Sequence, residues 1–98
     1  MHHVEVMPPV SVALGLFLQN DRESLLKVLN RLYDQLENHA DRYRGHRDPD
    51  DPDFFYYAVH LADCDHNWHT FRFSVNDAKA TGYLFVEAVT HRLGKFRL

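Results

Sequence analysis

The sequence predicts an α+β fold of the ferredoxin-like kind, a βαββαβ sandwich whose antiparallel sheet carries two helices on one face and ends in a short last strand. Three observations lead there. Residues Val10 to Leu18 alternate with period two, residues Asn20 to Gly45 carry apolar side chains at helical spacing, and Phe54 to Val75 reads as two aromatic-rich strands around a polar turn. Strand, helix and hairpin in that order, followed by a further helical pattern, match the two split βαβ halves of this topology.

The first strand follows Met7-Pro8-Pro9. Val10, Val12, Leu14, Leu16 and Leu18 would share one bulky face, with Ser11, Ala13, Gly15 and Phe17 on the other. A capping box then opens the first helix, because Asn20 can accept from the amide of Glu23 while the Glu23 carboxylate reaches back. Leu25, Leu29, Leu32, Leu36 and Tyr43, widened by Leu26, Tyr33 and Ala40, form its apolar stripe, and Lys27, Arg31, Asp34, Asn38 and Asp41 fall opposite. Gly45 is a natural left-handed stop. Within the acidic loop 46–53, the run Arg47 to Asp53 has two prolines and four aspartates and can sustain neither a helix nor a central strand.

In the hairpin, Phe55, Tyr57, Val59 and Leu61 share one face, and His69, Phe71, Phe73 and Val75 match them across the Asp63 to Asn67 turn. Placing Leu61 opposite His69 sets Val59 by Phe71, Tyr57 by Phe73 and Phe55 by Val75, which fixes the register. Ser74, Asn76 or Asp77 would cap a second helix with Ala78, Gly82, Phe85, Val86, Val89 and Leu93 on one face. Gly82 in that helix implies a close approach to the sheet. A thinner stripe of Ala80, Leu84 and Ala88 would face outward as a second contact surface. Gly94 ends the helix, and Lys95 to Leu98 is long enough for a final strand. Should that strand not form, the segment His2 to Met7, otherwise an N-terminal extension over 1–9, is available to pair at a sheet edge.

The 98 residues fit one domain, since two cores would leave each half marginal. With 45% hydrophobic and 26% charged residues the composition is that of a folded domain. The apolar run Val10 to Leu18 is too short to cross a bilayer, and the start of the chain lacks the basic and apolar regions of a secretory signal. A lone Cys64 suits a reducing compartment, so a cytoplasmic location is expected, with no membrane partner. The net charge of −3 argues against DNA as a partner.

The face of the hairpin turned away from the core carries Tyr56, His60, Trp68, Thr70 and Arg72, and these are the candidate binding residues. Such a face is too apolar to be left in water, so a homodimer through the open sheet is expected, in a binding or regulatory module rather than an enzyme. Two alternatives use the same residues. In a dimeric α+β barrel the sheets would enclose a small molecule, with His60 as general base, Arg72 holding a carboxylate or enolate oxygen, and Tyr56 and Trp68 as walls. Single-stranded RNA could instead stack on Tyr56 and Trp68, although strand three lacks the basic and aromatic octamer of RNA-binding sheets.

No cofactor and no catalytic or metal-ligating set is expected. Cys64, Asp65, His66 and His69 lie within six residues, but no second Cys/His pair completes a structural-zinc spacing. Asp63 and Asp65 flank the Cys64 thiol and would raise its pKa, which argues against a nucleophile.

Overall fold

The hairpin forms with the predicted register. In the computed structural model, which describes residues 2–19 and 21–94, its strands are β2 (Phe54–Ala62) and β3 (Trp68–Asn76). Leu61 pairs with His69, Val59 with Phe71, Tyr57 with Phe73 and Phe55 with Val75. One face of the pair is buried along its whole length, with Phe55, Phe71, Phe73 and Val75 wholly inaccessible.

The rest of the fold departs from the ferredoxin-like plan. Ahead of the hairpin come β1 (His3–Val6), α1 (Pro8–Leu18), α2 (Arg22–His39) and a 3₁₀ turn, Ala40–Arg42; after it comes β4 (Tyr83–Leu93). The four-stranded mixed sheet has the order β1-β4-β3-β2, with β1 parallel to β4 and the other pairs antiparallel. Both helices therefore lie in the single connection between β1 and β2.

Val10 to Leu18, expected as a strand, is most of α1. Pro8 and Pro9 occupy the first two helical positions, where proline's fixed φ helps and its missing N–H costs nothing. Nearly every side chain from Pro8 to Leu18 is apolar, so periods of two and of 3.6 fit equally and alternation carries no information. Burial decides between them. Val10, Leu14 and Leu18, four residues apart, are buried, while Val12 and Leu16 are exposed.

The helix α2 forms as expected but is capped by Asp21, whose carboxylate accepts from the Ser24 amide at 3.0 Å and the Ser24 hydroxyl at 2.7 Å. The expected cap, Asn20, lies outside the described residues. Its buried line is Ser24, Val28, Leu32 and Leu36, with Leu25 and Leu29 packed beside it. Leu26 and Tyr33 fall to the exposed side, and the helix ends at His39, ahead of Gly45.

The expected second helix is β4. Gly82 does not bring a helix close to the sheet; it turns the chain with φ of +79°, closed by the Tyr83 amide on the Ala80 carbonyl. The helical appearance of this segment comes from a β-bulge. Ser74 pairs with Ala88 but Val75 with Val86, so Glu87 is an extra residue. The bulge resets the alternation, so that after Leu84 and Val86 the next core-side residue is Val89, three positions on, a spacing that mimics i, i+3. Leu84 is wholly buried and Ala80 lies in the turn, so the outward stripe of Ala80, Leu84 and Ala88 does not exist. The expected last strand, Lys95 to Leu98, lies outside the described residues, and His3–Val6 pairs at the edge of β4. No described helix is long and apolar enough to cross a membrane.

A strand would place Leu14 and Leu16 on the same face, whereas α1 separates them. Urea denaturation should show Leu14→Ala losing about 2–5 kcal/mol and Leu16→Ala changing stability by no more than about 0.5 kcal/mol. Equal losses would contradict the helix.

Candidate functional site

With α1 and α2 on one side, no helix covers the opposite side of the sheet. It presents Tyr56, Ala58 and His60 from β2, Trp68, Thr70, Arg72 and Ser74 from β3, Ala88, Thr90 and Arg92 from β4, and His3 and Glu5 from β1, none of them buried. The loop before β2 folds back over part of this face. Arg47 bridges to Phe55, the Asp48 amide donates to the Phe54 carbonyl at 3.0 Å, and the Tyr56 amide donates to the His46 carbonyl at 3.1 Å. The loop thereby becomes a wall, and a depression of about 630 Å³ forms between it and the sheet, lined by Tyr43, His46, Arg47, Pro49, Tyr56, Ala58, His60 and Arg72. Ala58, small and flanked by larger neighbours, supplies the floor.

The two arginines of the depression differ in what they have left to offer. Arg47 makes two hydrogen bonds to the Asp77 carboxylate, at 2.8 and 2.7 Å, and Arg44 approaches the same carboxylate at 3.4 Å. Hydrogen bonding from Arg47 holds Asp77 below the usual carboxylate range, and the charge of Arg47 is thereby matched. Arg72 has no hydrogen-bonded carboxylate, although its charge helps to lower the pKa of nearby Asp48. Its guanidinium carbon lies 3.6 Å from the centre of the Tyr56 ring, a cation–π stack, and it makes no hydrogen bond among the described residues. Tyr56 is itself fixed, since its hydroxyl donates to Asp48; that bond lowers the Asp48 pKa and raises that of Tyr56.

Neighbouring hydrogen bonds fix the tautomer of His60. The Thr70 hydroxyl donates its single proton to the Gly94 carbonyl at 2.9 Å, so at its 2.8 Å contact with His60 Nδ1 it must accept. Neutral His60 therefore carries its proton on Nδ1 and keeps a lone pair on Nε2. Arg31, reaching from α2, donates to the His60 carbonyl at 2.8 Å and anchors this edge strand from the helix side.

Of the five residues singled out from the sequence, Tyr56, His60 and Arg72 line one depression, with Thr70 orienting His60. Trp68 is apart, in a separate hollow with Asp63, His66, Asn67, Leu93 and Gly94. Sequence reasoning missed Tyr43, His46, Arg47 and Pro49, because a loop's return beside a strand leaves no periodic signal. The open face is also not the most exposed apolar surface: Leu16 and Val12 on α1 are 70% and 63% exposed, against 44% for Trp68.

Other expected features fall as follows. The Cys64 amide donates to Asp21 at 3.0 Å, and hydrogen bonding to that carboxylate raises the thiol pKa, the reverse of what a nucleophile needs. His66 is exposed in the turn at φ of +64°, while His69 is buried between Asp63 and His91. Among the described residues no three His, Cys, Asp or Glu side chains are gathered to hold a metal ion. The chain matches no protein-family model, no curated protein and no solved structure.

The Asp77 bridge anchors the loop wall and makes a pH prediction. Because its folded pKa lies below the unfolded value of 3.8, its contribution is complete above that pH and is lost as pH falls through the folded value. Asp77→Asn should cost about 1 kcal/mol at neutral pH, reduced by the partial exposure of Arg47, and the gap to wild type should close on the acid side of 3.8 in urea titrations.

Proposed function

We propose that the protein is a small binding module, that the open sheet face is its working surface, and that the depression beside Arg72 takes an anionic group such as a carboxylate or a phosphate monoester. The carrying observation is the state of Arg72. Stacking on Tyr56 fixes the plane of its guanidinium while leaving its N–H donors unspent, which suits a planar fork for two anionic oxygens. His46 and His60 line the same depression and can add donors when protonated. The stack means that less side-chain freedom is lost on binding.

One observation favours a second reading, catalysis on a small molecule. The chain of hydrogen bonds from Gly94 through Thr70 to His60 leaves Nε2 as a proton acceptor, the form a general base needs. In that reading a second copy of the chain covers the face, burying Trp68 and closing the depression into a cavity.

The test is a titration of ¹⁵N-labelled protein with inorganic phosphate, acetate and phenyl phosphate. Resonances of Ala58, His60 and Arg72 should move together, and Arg72→Gln should weaken binding about tenfold or more, as expected for losing a charge-assisted pair. Shifts confined to other surfaces, or equal affinity in Arg72→Gln, would remove the anion site. A dimer seen by light scattering together with turnover lost in His60→Gln would favour the catalytic reading.

A further inference from the structure

Away from the open face, on the helix side of the sheet, three ionisable groups form a line that the proposed function does not use. The Asp63 carboxylate in the β2–β3 turn meets His69 Nε2 at 2.7 Å, and His69 Nδ1 meets His91 Nε2 at 2.8 Å. The ring of Phe17 from α1 stacks on His91, with centres 4.6 Å apart. Four parts of the fold meet here: the hairpin turn, β3, the end of β4 and the end of α1.

Proton counting shows what this line can hold. The hydrogen bond with His69, helped by the Asp65 and Asn67 amides that donate to the other oxygen at 2.9 Å, lowers the Asp63 pKa, so the carboxylate is ionised and His69 Nε2 carries a proton. One proton alone fits between the two imidazoles. With both rings neutral it sits on His91 and points at the His69 lone pair. With one positive charge it is shared, and the charge faces Asp63. A second added proton would set N–H against N–H at 2.8 Å, which the pair accommodates only by separating.

We infer that Asp63, His69 and His91 form an acid-sensitive latch that fastens the hairpin turn and the end of β4 to α1, closed while the imidazole pair carries at most one extra proton and opened by the second.

Among the described residues no other acidic side chain is hydrogen-bonded to the pair. α1 contributes only Phe17, and β3 adds Phe71, whose ring lies 4.9 Å from that of His91. From the α1–α2 connection comes Asp21, spent on Ser24 and Cys64. The turn adds Cys64 and Asp65, which line with His69 and Asp63 a cavity of about 350 Å³. Opening the latch would deepen this cavity and free the α1 terminus. Burial first, and then the neighbouring His69, lower the His91 pKa from 6.5. A histidine whose folded pKa is depressed contributes stability that is complete above the unfolded value and is lost as pH falls through the folded one, so the latch releases on the acid side of 6.5.

Two measurements test the latch. Urea unfolding constants are compared at about pH 7.5 and about pH 5 for wild type and His91→Gln, which keeps a polar side chain facing His69 but does not titrate. Acidification should raise the wild-type constant by at least about threefold more than that of the variant. Independently of how the variant folds, ring-nitrogen NMR of the wild type should show the His91 ring gaining its proton below 6.5 together with loss of the Phe17 ring-current shift. Equal pH dependence in the two proteins, or protonation of His91 with Phe17 undisturbed, would overturn it.

Discussion

The structure depends on the two-sided pairing of β3, which sets Phe71 and Phe73 at the middle of an apolar sheet face that must be covered. β2 and β4 flank it, and their inward residues extend that face to Phe55, Leu84 and Val86. All helical residues among those described lie between β1 and β2, so both helices serve this one face, and Leu14, Leu18, Leu32 and Leu36 fill the space against it. Each such side chain contributes about 1.5–3 kcal/mol by leaving water. In the described chain only the loop before β2 reaches over the reverse side, and it covers no more than the β2 edge. An uncovered sheet face is thus a consequence of topology, and the chemistry beside Arg72 is placed by it.

That topology was only partly legible in the sequence, and the reasons are physical. The hairpin could be read to the residue, because bulky and small or polar side chains alternate strictly and a slip of one would turn Phe55, Phe71 and Phe73 to water. Helix α2 was legible for the same reason at a different period. For α1 the contrast is missing: with almost every residue apolar, the pattern has no phase, and the two prolines that start the helix fit the approach to a strand equally well. β4 misled through its bulge, since one extra residue at Glu87 converts a period of two into a spacing of three across Val86 and Val89. A bulge is a backbone event, and side-chain identity records it only indirectly.

For the candidate site the same division holds. Parity along the hairpin was enough to place Tyr56, His60, Thr70 and Arg72 on one face, but it could not separate Trp68, which sits at the far end near the turn. It also could not show that Asp77, 30 residues beyond Arg47 in the chain, would match the charge of that arginine and leave Arg72 as the uncommitted donor. Long-range ion pairs of this kind follow from the closure of loops over the sheet, and no local pattern announces them. His69 and His91 met for a related reason, because their pairing depends on the β3–β4 register that the sequence had disguised as a helix.

The central claim is that residues 83–93 form a strand between β1 and β3, since the uncovered face, the bulge and the histidine pair all follow from it. Interstrand nuclear Overhauser effects on the isotopically labelled protein address it most directly. The account predicts cross-strand contacts from Leu84 and Val86 to Val4 and Val6 in parallel register, and from Thr90 and His91 to Arg72 and Phe71 in antiparallel register. Sequential amide contacts of helical type through Tyr83–Leu93, with no cross-strand partners on β1, would contradict it.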